Sequence, residues 1–244
     1  MHLTIGDTVI PYEVRESRKA TRKKIVVTPA GVEVVVPAGT PVDGPEGVIP
    51  YVQRKRRWVF DSVREVEEKH HSLLIQQYAS GAKLQYRGRW LMLDVRAGDV
   101  SEVMITCRSK FHVVVPTGMD SVEKLEVIRK AFDRWLRERA LDEVERFGHH
   151  HEATLGVYAT GYRLSDARSR WGSCGQDQVI RVHWRLVQAP TPALEYVVAH
   201  EVAHLAHRNH SPKFWAALSR TLPDWTERKA MLERWEAEHQ TGRK

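Results

Sequence analysis

The 244-residue sequence predicts an α+β protein with a repeated β-strand-plus-helix region over residues 1–146 and a C-terminal unit over residues 147–244. Three observations lead there. Short β-branched runs recur in two similar blocks, each block is closed by a stretch with helical periodicity, and a very apolar helix-like segment near the C-terminus carries two histidines four residues apart.

The repeat is anchored by Val34-Val35-Val36-Pro37, which lies over Val113-Val114-Val115-Pro116. Upstream, Gly6–Arg15 lies over Gly88–Arg96 with a one-residue adjustment, and IVVTPAG from Ile25 lies over MITCRSK from Met104. Downstream, Arg57-Trp58 matches Arg134-Trp135. Each block therefore reads as several strands followed by one helix, about Pro50–Glu68 in the first and Ser121–Arg146 in the second. The loop PAGTPVDGPEG, with three prolines and three glycines, separates strand from helix in the first block. In the second block Asp120 or Ser121 caps the helix, and Val122, Leu125, Ile128, Phe132, Trp135 and Leu136 give it an apolar stripe. FGHHHEATLGV (147–157) breaks that pattern and reads as a solvated boundary loop. Beyond it come a strand, a Gly-rich turn at Gly172–Gly175, a strand around Ile180, Val182 and Trp184, and helices to the end.

Composition bounds the function. With 42% hydrophobic residues and a mean hydropathy of −0.46, the chain can bury a core, and no apolar run is long enough to span a bilayer. The start lacks the layout of a signal peptide. Two cysteines far apart, Cys107 and Cys174, exclude a disulfide framework and point to the cytoplasm. The net charge of +7 permits nucleic acid or acidic partners without requiring them. Arg18, Lys19, Arg22, Lys23, Lys24 and then Arg54, Lys55, Arg56 and Arg57 are the densest basic clusters; four consecutive positions circle a helix, so the second reads as solvated charge. The eight tryptophans read mostly as packing residues.

The chemistry lies in His200-Glu201-Val202-Ala203-His204, a HExxH arrangement. Positions i and i+4 share a helical face, so both imidazoles can meet one metal while the adjacent glutamate reaches a water on it. Thr191-Pro192 supplies a cap and a first-turn proline for the helix. For a third ligand, His207 lies about 10 Å along a continuous helix from His200, too far for a shared zinc. His210 follows Asn209, which tolerates the left-handed conformation that ends helices, and precedes Ser211-Pro212, so the chain can fold it back. His200, His204 and His210 then match the ligand spacing of metzincins, although His207 stands where those enzymes carry glycine. Against this stand hydrogen-bonded core histidines, or a purely structural metal, which leaves Glu201 without a role. Cys174 is an unneeded fourth ligand, and His207 reads as a supporting residue.

SRWGSC (169–174), WRL (184–186), Pro190, YVVAHEVAHLAHRNHSPKFW (196–215) and LPDW (222–225) together resemble the YgjP-like metallopeptidase family, relatives of the SprT and WLM zincin-like proteins. The resemblance covers most of the chain and is strongest in the last 80 residues. It implies a zincin-like metallopeptidase domain, a zinc ion on His200, His204 and His210, and Glu201 as the catalytic carboxylate. The expected reaction is peptide-bond cleavage by a zinc-activated water with Glu201 as general base. Tyr158, Tyr162, Arg168, Arg170 and His207 are candidates for stabilising the oxyanion. Arg170, Trp171, Gly172 and Ser173 are candidates for contacting an extended peptide or protein substrate, and equally for a packed turn. Two other readings stand beside this one: a phosphoanhydride hydrolase acting on nucleotides at the same metal, and a nucleic-acid-associated protease or binding protein using the basic N-terminal clusters.

Overall fold

The computed structural model describes residues 1–167 and 169–239. Among these residues the protein is mixed α and β, with six α-helices and three sheets. Contacts divide it into two compact units, Met1–Gln76 and Gln77–Lys244.

In the first unit, β1 (His2–Ile5), β2 (Thr8–Ser17), β3 (Lys24–Thr28) and β4 (Gly31–Pro37) form a sheet in the order β1-β2-β4-β3. The central pair β2 and β4 is parallel and the flanking pairs are antiparallel. Alternation puts Val32, Val34 and Val36 on the buried face, where they meet Leu3, Ile10 and Ile25 and the helical residues Val48, Val52 and Val59. The expected single helix is two, α1 (Val48–Arg54) and α2 (Arg56–Tyr78), broken at Lys55, and the second runs well past Glu68. Arg54, Lys55, Arg56 and Arg57 straddle that break and are all exposed. Trp58 is exposed too, contrary to a packing role.

The second unit begins with a sheet of the same strand order: β5 (Lys83–Tyr86), β6 (Arg89–Gly98), β7 (Met104–Cys107) and β8 (Phe111–Pro116), arranged β5-β6-β8-β7. Phe111, Val113 and Val115 alternate inward, and Phe111 meets Phe132 edge-on at 5.1 Å between ring centroids. Phe132 belongs to α3 (Ser121–Leu155), whose first turn is capped by Asp120 accepting from the Glu123 N–H at 3.2 Å. Leu125, Ile128, Phe132 and Leu136 are buried as the stripe requires, Trp135 is half-buried, and the same face continues through Ala140, Val144 and Phe147 to His151.

That continuation corrects the expected loop at residues 147–157. The helix runs to Leu155, and of the three histidines only His149 and His150 face solvent; His151 is fully buried, with Nδ1 2.7 Å from Thr221 Oγ1. Gly148 looks like a helix breaker but is a packing residue, because the Tyr162 ring occupies the space a Cβ would fill.

A third sheet, in the order β10-β11-β9, follows: β9 (Gly161–Ser165), β10 (Gly172–Cys174) and β11 (Val179–His183). Gly172–Cys174, expected as a turn, is an antiparallel edge strand on β11, and the turn lies at Gly175–Gln178, closed by Gln178 N–H to the Gly175 carbonyl at 3.0 Å. A 3₁₀ turn (Trp184–Gln188) leads to α4 (Thr191–Ala206), then α5 (Pro212–Thr221) and α6 (Trp225–Glu238). Pro190, not Thr191, is the residue preceding the first turn of α4. Ala193, Leu194, Val197, Val198, Ala199, Val202 and Ala203 bury α4 on nearly every side, so it is the axis of the C-terminal core.

Candidate metal centre

α4 carries His200 and His204 one turn apart, and the chain after it brings His210 to the same place. One nitrogen from each ring lies within 4.8 Å of the others, and His200 Nε2 and His210 Nε2 are 3.0 Å apart. Two ligands at about 2.0–2.1 Å on a tetrahedral zinc are separated by about 3.3 Å, so this spacing suits a small four-coordinate ion. The buried Phe214 of α5 lies against all three rings, with centroid separations of 4.9, 4.6 and 4.7 Å to His200, His204 and His210. Trp215 Nε1 donates to the His210 carbonyl at 3.1 Å and fixes the backbone of that residue.

His207 is not in the cluster; its carbonyl lies 3.0 Å from His204 Nδ1. A proton on Nδ1 satisfies that carbonyl and leaves Nε2 as a lone pair, the usual outer support of a metal-ligating histidine. The helix ends at Ala206 because His207 turns extended, with φ −137°. Asn209 does not adopt the left-handed conformation expected of it; among the described non-glycine residues only Arg87 and Gln178 have positive φ.

The electrostatics favour neutral imidazole. Burial, then the neighbouring His204 and His210, push the His200 pKa down to about 4, and burial also lowers that of His204. The His200 Nδ1 is buried without a hydrogen-bond partner among the described residues. Three neutral rings whose nitrogens converge, with no carboxylate in the cluster, are a donor set that fits a borderline-soft divalent cation such as zinc.

Glu201, the residue after His200 on α4, lies against β10. It is 7% exposed, and burial raises its pKa to about 7 against the opposing effects of the Cys174 backbone N–H and the Arg170 charge. Gly172 makes this contact possible: a Cβ there would lie 2.5 Å from Glu201 Oε1 and 2.8 Å from its Cγ. Arg208, between the second and third histidines, donates through Nη1 to the Gly175 carbonyl at 2.7 Å and ties the end of β10 to the segment that carries His210.

The other expected site residues disperse. Trp171 turns to α6, where its indole N–H donates to Glu236 and its ring lies 5.4 Å from that of Trp235. Cys174 lies beside Arg208 Nη1, with Sγ at 3.5 Å, and is not among the converging atoms. Tyr158 is 73% exposed, Tyr162 is packed over Gly148, and Arg168 lies outside the described residues. Ser173 is half-buried on the edge strand. The residues that sequence reasoning missed are Phe214, Arg208 and the Cys174 N–H; the first two sit inside the HRNHSPKFW stretch, and only the third dimension gives them a role.

The family model of the YgjP-like metallopeptidase domain matches residues 21–235. Among solved structures, the metallopeptidase zymogen of Pyrococcus abyssi abylysin aligns with a TM-score of 0.35 at 20% identity, over 40% of this chain and 95% of that one. No curated protein matches the sequence.

Proposed function

The chain belongs to the YgjP-like metallopeptidase family, and on that premise we propose that it is a zinc-dependent peptidase in which His200, His204 and His210 hold the metal and Glu201 is the general base. The convergence of the three imidazole nitrogens carries this reading. When bound, zinc would lower the pKa of a coordinated water to about 7 and polarise the scissile carbonyl.

The protein's own groups do the rest. Glu201, with a pKa raised to about 7, is partly ionised at neutral pH and can take a proton at a carboxylate oxygen and later release it to a leaving amine. The Cys174 N–H and the absence of a side chain at Gly172 set where that carboxylate lies. His207 holds the His204 ring through its carbonyl. Among the described residues β10 pairs with β11 on one side only; on its outer edge the Cys174 N–H goes to Glu201 and the Cys174 carbonyl to Arg208, which leaves the main chain of Gly172 to meet an extended peptide, alongside Arg170 and Ser173. The functional module is residues 147–244. The shared strand order of the first two sheets supports reading residues 1–146 as a structural duplication, and the cysteine usage supports a cytoplasmic protein.

The test is metal analysis with peptide hydrolysis. Wild type should carry one zinc per chain and cleave an unstructured protein substrate; Glu201→Gln should keep the zinc and lose at least 100-fold in kcat/KM. Stoichiometric zinc with unchanged activity in Glu201→Gln, or a protein that takes up no zinc, overturns the proposal.

A further inference from the structure

The Gln77–Lys244 unit also holds a cavity apart from the three histidines. It has a volume of about 300 Å³ and is lined by Tyr78, Gln85, Trp171, Trp184 and Trp235, with Trp90 and His239 at its rim. That volume is at the small end of ligand pockets and suits one or two rings. The indole N–H groups of the three inner tryptophans are already used: Trp171 donates to Glu236, Trp184 to Asp166 at 2.9 Å, and Trp235 to Gln85 Oε1 at 3.0 Å. The rings are therefore held in fixed orientations and offer apolar surface.

Two nearly buried polar groups have unused hydrogen-bonding capacity. Tyr78 is 8% exposed, and no described residue hydrogen-bonds its hydroxyl, which is nevertheless not sealed from the cavity. Gln85 is 7% exposed; its Oε1 accepts from Trp235, and its amide nitrogen has no acceptor among the described residues. Both groups open onto the cavity and can pair with a ligand placed there. Charge adds direction. The one carboxylate of the lining, Asp133, is paired with Arg129 at 3.1 Å, whereas Lys83 and Arg185 have no carboxylate partner among the described residues. Arg185 lies over the Trp184 ring at 5.2 Å from its centroid.

We propose that this cavity binds a planar aromatic ligand bearing one anionic group. The ring packs among the tryptophans, the Tyr78 hydroxyl and the Gln85 amide donate to acceptors on it, and Arg185 with Lys83 faces the anion. Aromatic carboxylates and nucleoside monophosphates share this chemistry. The site contains none of the residues assigned to the metal, so it stands or falls apart from the peptidase reading.

Calorimetric titration of the full chain with indole-3-acetate and with AMP tests it, with indole-3-acetamide as the uncharged control. Either anion should saturate one site, with the acetamide at least tenfold weaker. Arg185→Gln and Tyr78→Phe should each weaken the anion at least fivefold at unchanged melting temperature; if either variant is unstable, Lys83→Gln on the exposed rim replaces it. Which anion wins identifies the source. No saturable binding of either anion, an acetamide that binds as well, or variants that bind like wild type would overturn the proposal.

Discussion

Replacing Gly172 by alanine tests the placement of Glu201 directly. The added Cβ would lie 2.5 Å from Glu201 Oε1, 2.8 Å from Cγ and 2.9 Å from Cδ. These contacts are about 1 Å shorter than ordinary van der Waals separations. Glu201 is hemmed in by burial and by the Cys174 N–H, so either the carboxylate swings out of place or β10 is pushed from α4. Overpacking of this size costs about 1–3 kcal/mol, a melting shift of several degrees for a chain of this length. Misplacing a general base by about 1 Å costs on the order of 100-fold in rate. The expected phenotype is a folded protein with full zinc content and kcat/KM reduced about 100-fold. A double-mutant cycle removes activity from the question: in a Glu201→Ala background the new methyl meets no carboxylate, so the Gly172→Ala penalty should fall by about 1–3 kcal/mol. Urea denaturation of the four proteins measures it. Additive energies, or Gly172→Ala with wild-type rate and stability, would refute the geometry of the Glu201 cradle.

Phe214→Ala should be severe. The ring is fully buried under all three imidazoles, so its removal should cost about 3–5 kcal/mol and loosen zinc about 10–100-fold in a chelator competition; unchanged zinc affinity would show that the rings are oriented by something else. Glu195 anchors α4 from the side of the helix opposite His200 and His204. Burial raises its pKa, but hydrogen bonding with His151 and Arg228 outweighs this and leaves it below the ordinary glutamate value. A depressed folded pKa contributes stability at pH values above the unfolded pKa of about 4.3, and that contribution is lost as pH falls below it. Glu195→Gln should therefore flatten the decline in urea stability between pH 5 and pH 3, and an unaltered slope would remove Glu195 from the account.

The parts of the fold that were legible in the sequence are those whose signal is local. Val34 and Val36, or Val113 and Val115, declare a strand because alternate residues must meet the same core, and the α3 stripe declares a helix for the analogous reason. Where the sequence misled, the deciding partner lies far along the chain. Gly148 and three histidines read as a solvated loop, yet the glycine accommodates Tyr162 and the His151 Nδ1 meets Thr221 Oγ1, 70 residues later. That hydroxyl offsets part of the cost of burying the ring, and Nε2 lies 3.5 Å from Glu195 Oε1.

The site divides along the same line. HExxH is a statement about one helix and needs no tertiary knowledge, so His200, Glu201 and His204 could be named from spacing. The place of His210 could be argued from where a helix can end, although the stated device failed: the chain leaves α4 through an extended His207, whose carbonyl then lies against His204 Nδ1, and Asn209 does nothing special. The chemistry of Glu201 was the least legible. An unburied glutamate titrates near 4.3 and is a poor match for proton transfer at neutral pH. What raises this one to about 7 is its burial beside a strand 27 to 29 residues earlier in the chain, which can approach only because its first residue has no side chain. The glycine and serine of that strand read as a flexible turn when only their conformational freedom is weighed. Weighed by the volume it leaves unoccupied, Gly172 is a fitted wall for the Glu201 carboxylate.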